Sequence, residues 1–260
     1  MSQHLTPAAS AHRAVSPTGE GAASTIPVPQ RLLLWFTYGV AGTLLFPLTY
    51  LIEGATRPGY NPWQQAISTL SLGPGGWLQR ANFVMCGVSV IWTAFVFRKI
   101  LRGTACATWY PRVRGIEGLG LIMIGFFSTD PAPGYPPGTL TTSATLQGAI
   151  HLAFTIIVVN MIALGLFIIS RRFWKDPHFP GWTAFSIVSG FLTLVFITAF
   201  GIANATHSGY PGLFERLATN TGTIWGAILL IPLWTGRSFM RFDSAANEIT
   251  PRKSLHWTNE

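Results

Sequence analysis

The sequence has few charged residues: Asp, Glu, Lys and Arg make up 10% of its 260 residues, against roughly 25% in soluble domains. It has only two cysteines, Cys86 in a hydrophobic run and Cys106 in a predicted cytoplasmic loop, so no disulfide is expected. It also lacks a nucleotide-binding motif, an HExxH or HxxxH pair and a GxSxG turn. These absences argue against a soluble domain and against ATP-driven work within this chain.

Hydrophobic residues, by contrast, make up 49% of the chain, with 10 Trp and 18 Phe. This composition predicts lipid-facing helices with aromatic residues at their ends. Six segments come near the roughly 20 residues that cross a bilayer. The predicted spans are residues 31–52, 77–97, 110–129, 147–169, 181–203 and 217–239. The expected fold is an all-α bundle of six transmembrane helices over residues 31–240, between cytoplasmic tails at 1–30 and 241–260, the first of which is predicted to be disordered.

The net charge of +8 does not indicate a nucleic-acid partner, because Lys and Arg gather in short clusters between the hydrophobic runs. This distribution follows the positive-inside rule. It predicts a protein of the cytoplasmic (inner) membrane with both termini in the cytoplasm and membrane lipids as its surroundings. The outer loops are then residues 53–76, 130–146 and 204–216. The oligomeric state stays open.

All three predicted outer loops contain a Gly-Tyr pair near a proline, and the three glycines, Gly59, Gly134 and Gly209, are spaced 75 residues apart. The spacing fits three helical hairpins that repeat one unit. The alternative is that Gly, Pro and Tyr are simply common in such loops. In the first loop, Asn61 and Pro62 are typical of a helix start, which predicts a short amphipathic helix lying in the membrane interface.

Ionisable residues near the outer ends of the spans form a predicted polar layer. The residues of this layer are Arg80, Asp130, His151, His207, Glu215 and Arg216. Charges near hydrocarbon are costly, so the layer indicates either a functional site or interhelical bonding. As a ligand site it would bind or move a lipid-like or small polar ligand. As an active site it would use Asp130 or Glu215 as base and His151 as acid, base or metal ligand.

Two further interpretations remain open. In a purely structural layer, Arg80 or Arg216 would pair with Asp130 or Glu215, and the protein would be a non-catalytic assembly partner in the bilayer. A membrane-embedded lipid hydrolase, with or without a metal, is the other. Asp130, His151, His207 and Glu215 include the N and O ligands that zinc accepts, but no metal motif joins them. Haem binding is disfavoured because His151 is the only histidine within a predicted span, and no cofactor is expected.

A second polar pair, Glu117 and Asn160, is predicted deeper in the bundle. Each lies 13 residues from the outer boundary of its span, Glu117 before Asp130 and Asn160 after Gln147, or roughly 20 Å at the rise of an α-helix. We expect a hydrogen bond between them. The functional alternative is a proton-coupled step in transport.

Several short stretches resemble the bacterial and archaeal membrane proteins known as domain of unknown function 998. These are 66–70 (AISTL), 125–131 (GFFSTDP), 148–151 (GAIH) and 212–216 (GLFER), followed by Trp225. The order matches the family over about residues 31–239, although Phe-Ser-Thr replaces the usual Phe-Pro-Thr before the aspartate. The resemblance implies a helical membrane bundle. It also implies that the important residues are Ser68, Asp130, His151, Glu215 and Arg216, but the family has no established activity. There is a looser likeness to membrane hydrolases that include alkaline ceramidases, whose paired histidines this chain lacks.

Overall fold

The computed structural model of the protein describes residues 25–140, 144–174, 176–207, 209–237 and 240–241. Over these residues the fold is all-α apart from one pair of two-residue strands. The helices are α1 (Gln30–Thr56), α2 (Gly76–Ile100), α3 (Cys106–Phe126), α4 (Leu146–Phe173), α5 (Trp182–Ala205) and α6 (Pro211–Trp234), with a 3-10 helix at Ile67–Ser71. The all-α prediction is confirmed. Both cysteines are free and buried, and Cys106 begins α3 instead of lying in a loop.

Consecutive helices pack against each other along the chain, and α1 also contacts α6, so the six helices close into a ring. Glycines set the closest approach between these helices, because a residue without a side chain lets two backbones come together. A Cβ on Gly87 of α2 would lie 2.5 Å from the carbonyl oxygen of Gly118 on α3. On the other side of α3, a Cβ on Gly120 would lie 2.7 Å from Val158 of α4. The position of α3 in the ring, between α2 and α4, therefore depends on backbone contact with α2 and close packing on α4.

Five of the six long helices are long and apolar enough to cross a membrane: α1, α2, α4, α5 and α6. The protein is thus a helical membrane protein. The remaining helix, α3, has 21 residues and carries Arg112, Arg114 and Glu117 within them. Large apolar side chains such as Leu48, Phe95 and Val195 are exposed on the outside of the bundle, as expected of a surface that faces lipid.

The bundle has two distinct ends. The tyrosine end carries Tyr60, Tyr135 and Tyr210 in the segments that join α1 to α2, α3 to α4 and α5 to α6. The opposite end carries the start of α1, the end of α6 and Arg171, and we call it the arginine end. There the strand β1 (Thr25–Ile26) pairs antiparallel with β2 (Met240–Arg241). The predicted tails lie almost wholly outside the described residues.

The segment that follows Asn61 is not the interfacial amphipathic helix that its sequence predicts. Asn61 does accept a hydrogen bond from the backbone N–H of Trp63 at 3.0 Å, but only one turn follows. The chain then enters the 3-10 helix, whose Ile67 and Leu70 side chains are fully buried. Ile67 and Leu70 thus pack against the bundle instead of the lipid, because side chains of α6 hold the segment there, whereas Trp63 is 55% exposed.

Candidate functional site at the tyrosine end

A cavity of about 310 Å³ opens at the tyrosine end between the 3-10 helix, α4, α5 and α6. We call it the tyrosine-end cavity. Its polar lining residues are Gln64, Gln65, Ser68, Thr69, Thr129, Asp130, His151, Thr155, Asn204, His207 and Glu215. Five of the residues singled out from the sequence, Ser68, Asp130, His151, His207 and Glu215, thus meet around one space. None of the described residues that line it is Lys or Arg.

Glu215 lies in the second turn of α6 and is 4% exposed. Its carboxylate accepts a hydrogen bond from the backbone N–H of Ile67, the first residue of the 3-10 helix. A carboxylate is favourable at a helix N-terminus, where backbone N–H groups lack partners within the helix. Glu215 therefore fixes the position of the 3-10 helix at the wall of the cavity, and forms no ion pair with an arginine of the described chain.

Arg216 points to the same first loop, although its charge is opposite to that of Glu215. Its Nη1 donates to the carbonyl oxygens of Pro62 and Gly212, both at 2.7 Å, and its Nη2 donates to the hydroxyl of Tyr60 at 2.5 Å. The Tyr60 hydroxyl donates in turn to the carbonyl of Ala66 at 3.0 Å. Burial raises the pKa of Tyr60, so its hydroxyl remains protonated at neutral pH. Arg216 thus holds the first loop in place and does not line the cavity.

Asp130 organises the start of α4. Its Oδ1 accepts from the Thr145 hydroxyl at 2.6 Å and its Oδ2 from the Thr145 backbone N–H at 3.1 Å. Thr145 is the N-cap of α4, and its hydroxyl oxygen accepts from the N–H of Gly148 at 3.0 Å. A Cβ on Gly148 would lie 2.1 Å from Oδ2 of Asp130, so only glycine fits beside the carboxylate. The remaining surface of Asp130 is half-buried and faces the cavity.

His151 lies in the second turn of α4 and is 3% exposed. Its Nδ1 donates to the carbonyl oxygen of Phe127 at 2.6 Å, and in the neutral ring this leaves Nε2 as an acceptor. Nε2 is buried and has no hydrogen-bond partner among the described residues. A buried, unpaired acceptor is costly unless water or a ligand bonds to it, and His151 lines the cavity.

A second, smaller void of about 40 Å³ lies deeper in the ring, and we call it the inner cavity. Ser68, His151, Thr155 and Glu215 line both cavities, so they form the boundary between the two. Most of its walls are apolar, but these polar side chains also face it, so a space of this size can hold ordered water beside them. The inner cavity extends the polar region from the tyrosine end toward the middle of the bundle.

The inner cavity reaches a buried ion pair on α3. Arg114 Nη1 donates to both carboxylate oxygens of Glu117, at 2.8 and 2.7 Å, and the two side chains are 12% and 4% exposed. The predicted hydrogen bond between Glu117 and Asn160 is wrong. Asn160 is exposed and donates to the carbonyl of Ile156 in its own helix at 2.8 Å. A charged partner one turn away satisfies Glu117 better than an amide on another helix.

The structure does not bring Arg80 to the cavity. Its side chain is exposed on the first turns of α2, and neither Arg80 nor Arg216 forms the predicted pairs with Asp130 or Glu215 among the described residues. His207, which lines the cavity, is exposed and has a left-handed backbone with φ of 48°. Within the described parts of the chain, no three His, Cys, Asp or Glu side chains lie close enough together to hold a metal ion.

Some lining residues were not singled out from the sequence. Gln64 and Gln65 directly precede the stretch that carries Ser68, and Asn204 lies one turn before His207, so position relative to known candidates could have indicated them. Apart from that, the sequence does not distinguish an amide that lines a cavity from one that is exposed to solvent. An uncharged side chain is common in both places, so its presence does not indicate a site.

Comparison with known proteins gives one match. The model of a family described as a protein of unknown function (DUF998) matches residues 40–232. No curated protein and no solved structure matches the chain. The matched range includes every residue that lines the two cavities.

Proposed function

This chain belongs to the DUF998 family of proteins of unknown function, and we propose that it binds a ligand carrying an ammonium group or several hydroxyl donors in the tyrosine-end cavity. The observation that carries the proposal is the balance of the polar lining. It contains two carboxylates and the unpaired Nε2 of His151, and no described lining residue is a Lys or Arg. Such a lining favours hydrogen-bond donors and positive charge, and disfavours phosphate-like anions.

The apolar part of the lining supports a lipid-like ligand as well as a small one. Leu152 and Phe200 line the cavity between α4 and α5, and Leu152 is 55% exposed on the outside of the bundle. An amine-bearing lipid headgroup could enter from this side, whereas a small amine could enter through the loops. A protein that retains this ligand and a protein that moves it across the membrane both have to bind it first.

The arrangement in the membrane is part of the proposal. We place all six helices across the bilayer, with α3 packed between α2 and α4 and its charges Arg114 and Glu117 paired. The arginine end faces the cytoplasm and the tyrosine end faces outward, because basic residues such as Arg98, Arg102 and Arg171 lie at the arginine end. Both chain termini are then cytoplasmic in this proposal.

Orientation is tested with single cysteines in a Cys86→Ala, Cys106→Ala background. Leu140, which is 88% exposed at the tyrosine end, is changed to Cys in one variant, and the exposed Arg102 in another. A membrane-impermeant thiol reagent added to intact cells is expected to label the Leu140→Cys protein only. Labelling of Arg102→Cys alone would reverse the proposed orientation.

Ligand chemistry is tested by placing a positive charge in the cavity. The side chain of Asn204 is exposed, lines the cavity and makes no hydrogen bond among the described residues, so Asn204→Arg should leave the fold intact. The probes are ethanolamine, spermidine, phosphatidylethanolamine and inorganic phosphate, followed by native mass spectrometry and thermal shift. Asn204→Arg is expected to weaken the binding of amine probes by about tenfold or more, whereas Asn204→Gln retains it.

The panel also separates the sources of the amine. Binding of ethanolamine or spermidine alone indicates a small ligand, and binding of phosphatidylethanolamine alone indicates a lipid headgroup. Tighter phosphate binding by Asn204→Arg, without binding of any amine by the wild-type protein, contradicts the proposal.

A hydrolase is the second candidate, and one observation favours it. Ser68 and the unpaired Nε2 of His151 line the same two cavities, as a nucleophile and its base would. A serine-directed fluorophosphonate probe tests it. Labelling that is lost in both Ser68→Ala and His151→Ala supports a hydrolase, and absence of labelling in the folded wild-type protein opposes it.

A further inference from the structure

A groove of about 600 Å³ runs between α4 and α5 at the arginine end, away from the tyrosine-end cavity. Phe167, Ser170, Arg171, Trp174, Thr183, Ile187 and Phe191 line it. We call it the α4–α5 groove. Its apolar walls, Phe167, Ile187 and Phe191, lie nearer the middle of the bundle, and its polar residues lie in the last turn of α4 and the first turn of α5.

The walls of the groove are fixed by close packing. A Cβ on Gly190 of α5 would lie 2.6 Å from the ring of Phe167 on α4, so the absence of a side chain at Gly190 makes room for that ring. The rings of Phe167 and Phe191 meet edge to face, with centroids 5.2 Å apart. The apolar walls of the groove are therefore preformed. Its open side faces the surroundings of the bundle.

Among the described residues that line the groove, Arg171 is the one charged side chain. Arg171 is exposed, and among the described residues its side chain makes no ion pair or hydrogen bond. The neighbouring Arg172 is different, because it is buried and bonds to Asp176 at 2.8 Å. Beside Arg171, Trp174 is 65% exposed, as is typical of aromatic residues at a membrane interface.

We propose that the α4–α5 groove is a binding site for one anionic phospholipid. An acyl chain lies along Phe167, Ile187 and Phe191, and the phosphate of the headgroup binds the guanidinium of Arg171. The groove matches such a molecule because both have an apolar part and a charged end. The apolar walls lie toward the middle of the bundle, where the acyl chain would lie, and Arg171 lies at the end, where the headgroup would lie. A zwitterionic lipid fits the walls equally well but gains less from Arg171. This site is independent of the proposed ligand at the tyrosine end.

The experiment compares phosphatidylglycerol with phosphatidylcholine by native mass spectrometry on the purified full-length protein. The wild-type protein is expected to retain phosphatidylglycerol preferentially, and Arg171→Gln is expected to reduce that preference by about fivefold, the effect of one basic residue at an anionic headgroup. Arg98→Gln is the matched control, because Arg98 is also an exposed cation in the last turn of its helix but does not line the groove.

A second variant tests the groove itself. Ile187→Trp places a larger side chain in the groove and is expected to reduce the retention of both lipids. Equal preference for phosphatidylglycerol in the wild-type protein and Arg171→Gln would overturn the role of the cation. Unchanged retention in Ile187→Trp, with a normal unfolding temperature, would overturn the site.

Discussion

Glu215 accepts a hydrogen bond from the backbone N–H of Ile67, which precedes it by 148 residues. The bond joins the first loop to the start of the last helix, and the adjacent Arg216 makes further bonds to the same loop. Glu215 and Arg216, which are adjacent on α6 and opposite in charge, thus both hold the first loop in place. Ser68, the residue after Ile67, owes its position at the cavity wall to this contact.

We expect Glu215→Ala to lower the free energy of unfolding by about 1–3 kcal/mol, because it leaves the Ile67 N–H without an acceptor inside the protein. Glu215→Gln retains an amide oxygen in the same place and should lose less. Thermal unfolding of the purified protein in detergent measures both. A wild-type unfolding temperature for Glu215→Ala would mean that water replaces the carboxylate.

The hydrogen bond between Arg216 and Tyr60 should appear as an interaction energy in a double-mutant cycle. Arg216→Lys cannot keep the contacts to Pro62, Gly212 and Tyr60 together, because an ammonium group lacks the fork of donors. With Tyr60→Phe as the partner change, we expect non-additivity of about 0.5–3 kcal/mol in unfolding experiments.

Tyr210→Phe is the control for this cycle, because Tyr210 lies in an equivalent Gly-Tyr-Pro loop but is 56% exposed. It should behave additively with Arg216→Lys. Additive behaviour of Tyr60→Phe as well would show that the bond contributes little to stability.

The sequence was a good guide to the helices and to the group of residues at the cavity, for a clear physical reason. Hydrophobic runs of this length have few alternatives to membrane helices, and polar groups near their ends gather away from lipid. Asp130, His151 and Glu215 do meet around one cavity. Whether the cavity binds a ligand stays a prediction.

What the sequence could not reveal was which partner each polar group takes. A purely structural layer predicts arginine partners for Asp130 and Glu215, yet both carboxylates bind donors at the start of helical segments, Thr145 and Ile67. Backbone N–H groups occur at every residue except proline and leave no pattern in a sequence. The sequence also predicts the start of α6 at residue 217 instead of Pro211. The reason is that the charges of Glu215 and Arg216, which are buried within α6, resemble the charges of a loop in the sequence.

Gly148→Ala should be strongly destabilising although alanine favours helices. The added Cβ would lie 2.1–2.5 Å from the carboxylate atoms of Asp130, so either Asp130 or the first turn of α4 has to move. Gly201→Ala on α5 is the matched control, because a Cβ there meets nothing within 4 Å. We expect a lower unfolding temperature for Gly148→Ala, and an unchanged or higher one for Gly201→Ala.

A second change identifies the cause. In an Asp130→Ala background, which lacks the carboxylate, the additional loss caused by Gly148→Ala should be much smaller than in the wild-type protein. An equal loss in both backgrounds would show that another neighbour of Gly148 is responsible.

The ion pair between Arg114 and Glu117 should be costly to break from one side only. Glu117→Ala leaves the Arg114 guanidinium in the bundle without its carboxylate, and removing one partner of a buried pair typically costs about 3–5 kcal/mol. The double variant Arg114→Met, Glu117→Leu has no unpaired charge, so it should be more stable than Glu117→Ala alone. Unfolding temperatures of the single and double variants measure this difference.

The same variants indicate what the pair is for. If the pair only stabilises the bundle, the double variant retains amine binding at the tyrosine-end cavity. The Arg114–Glu117 pair also lines the inner cavity, which shares Ser68, His151, Thr155 and Glu215 with the tyrosine-end cavity. A double variant that folds normally but binds amine probes more weakly would therefore assign the pair to ligand binding, because the contact between the two cavities offers a path for its charge to act on the ligand.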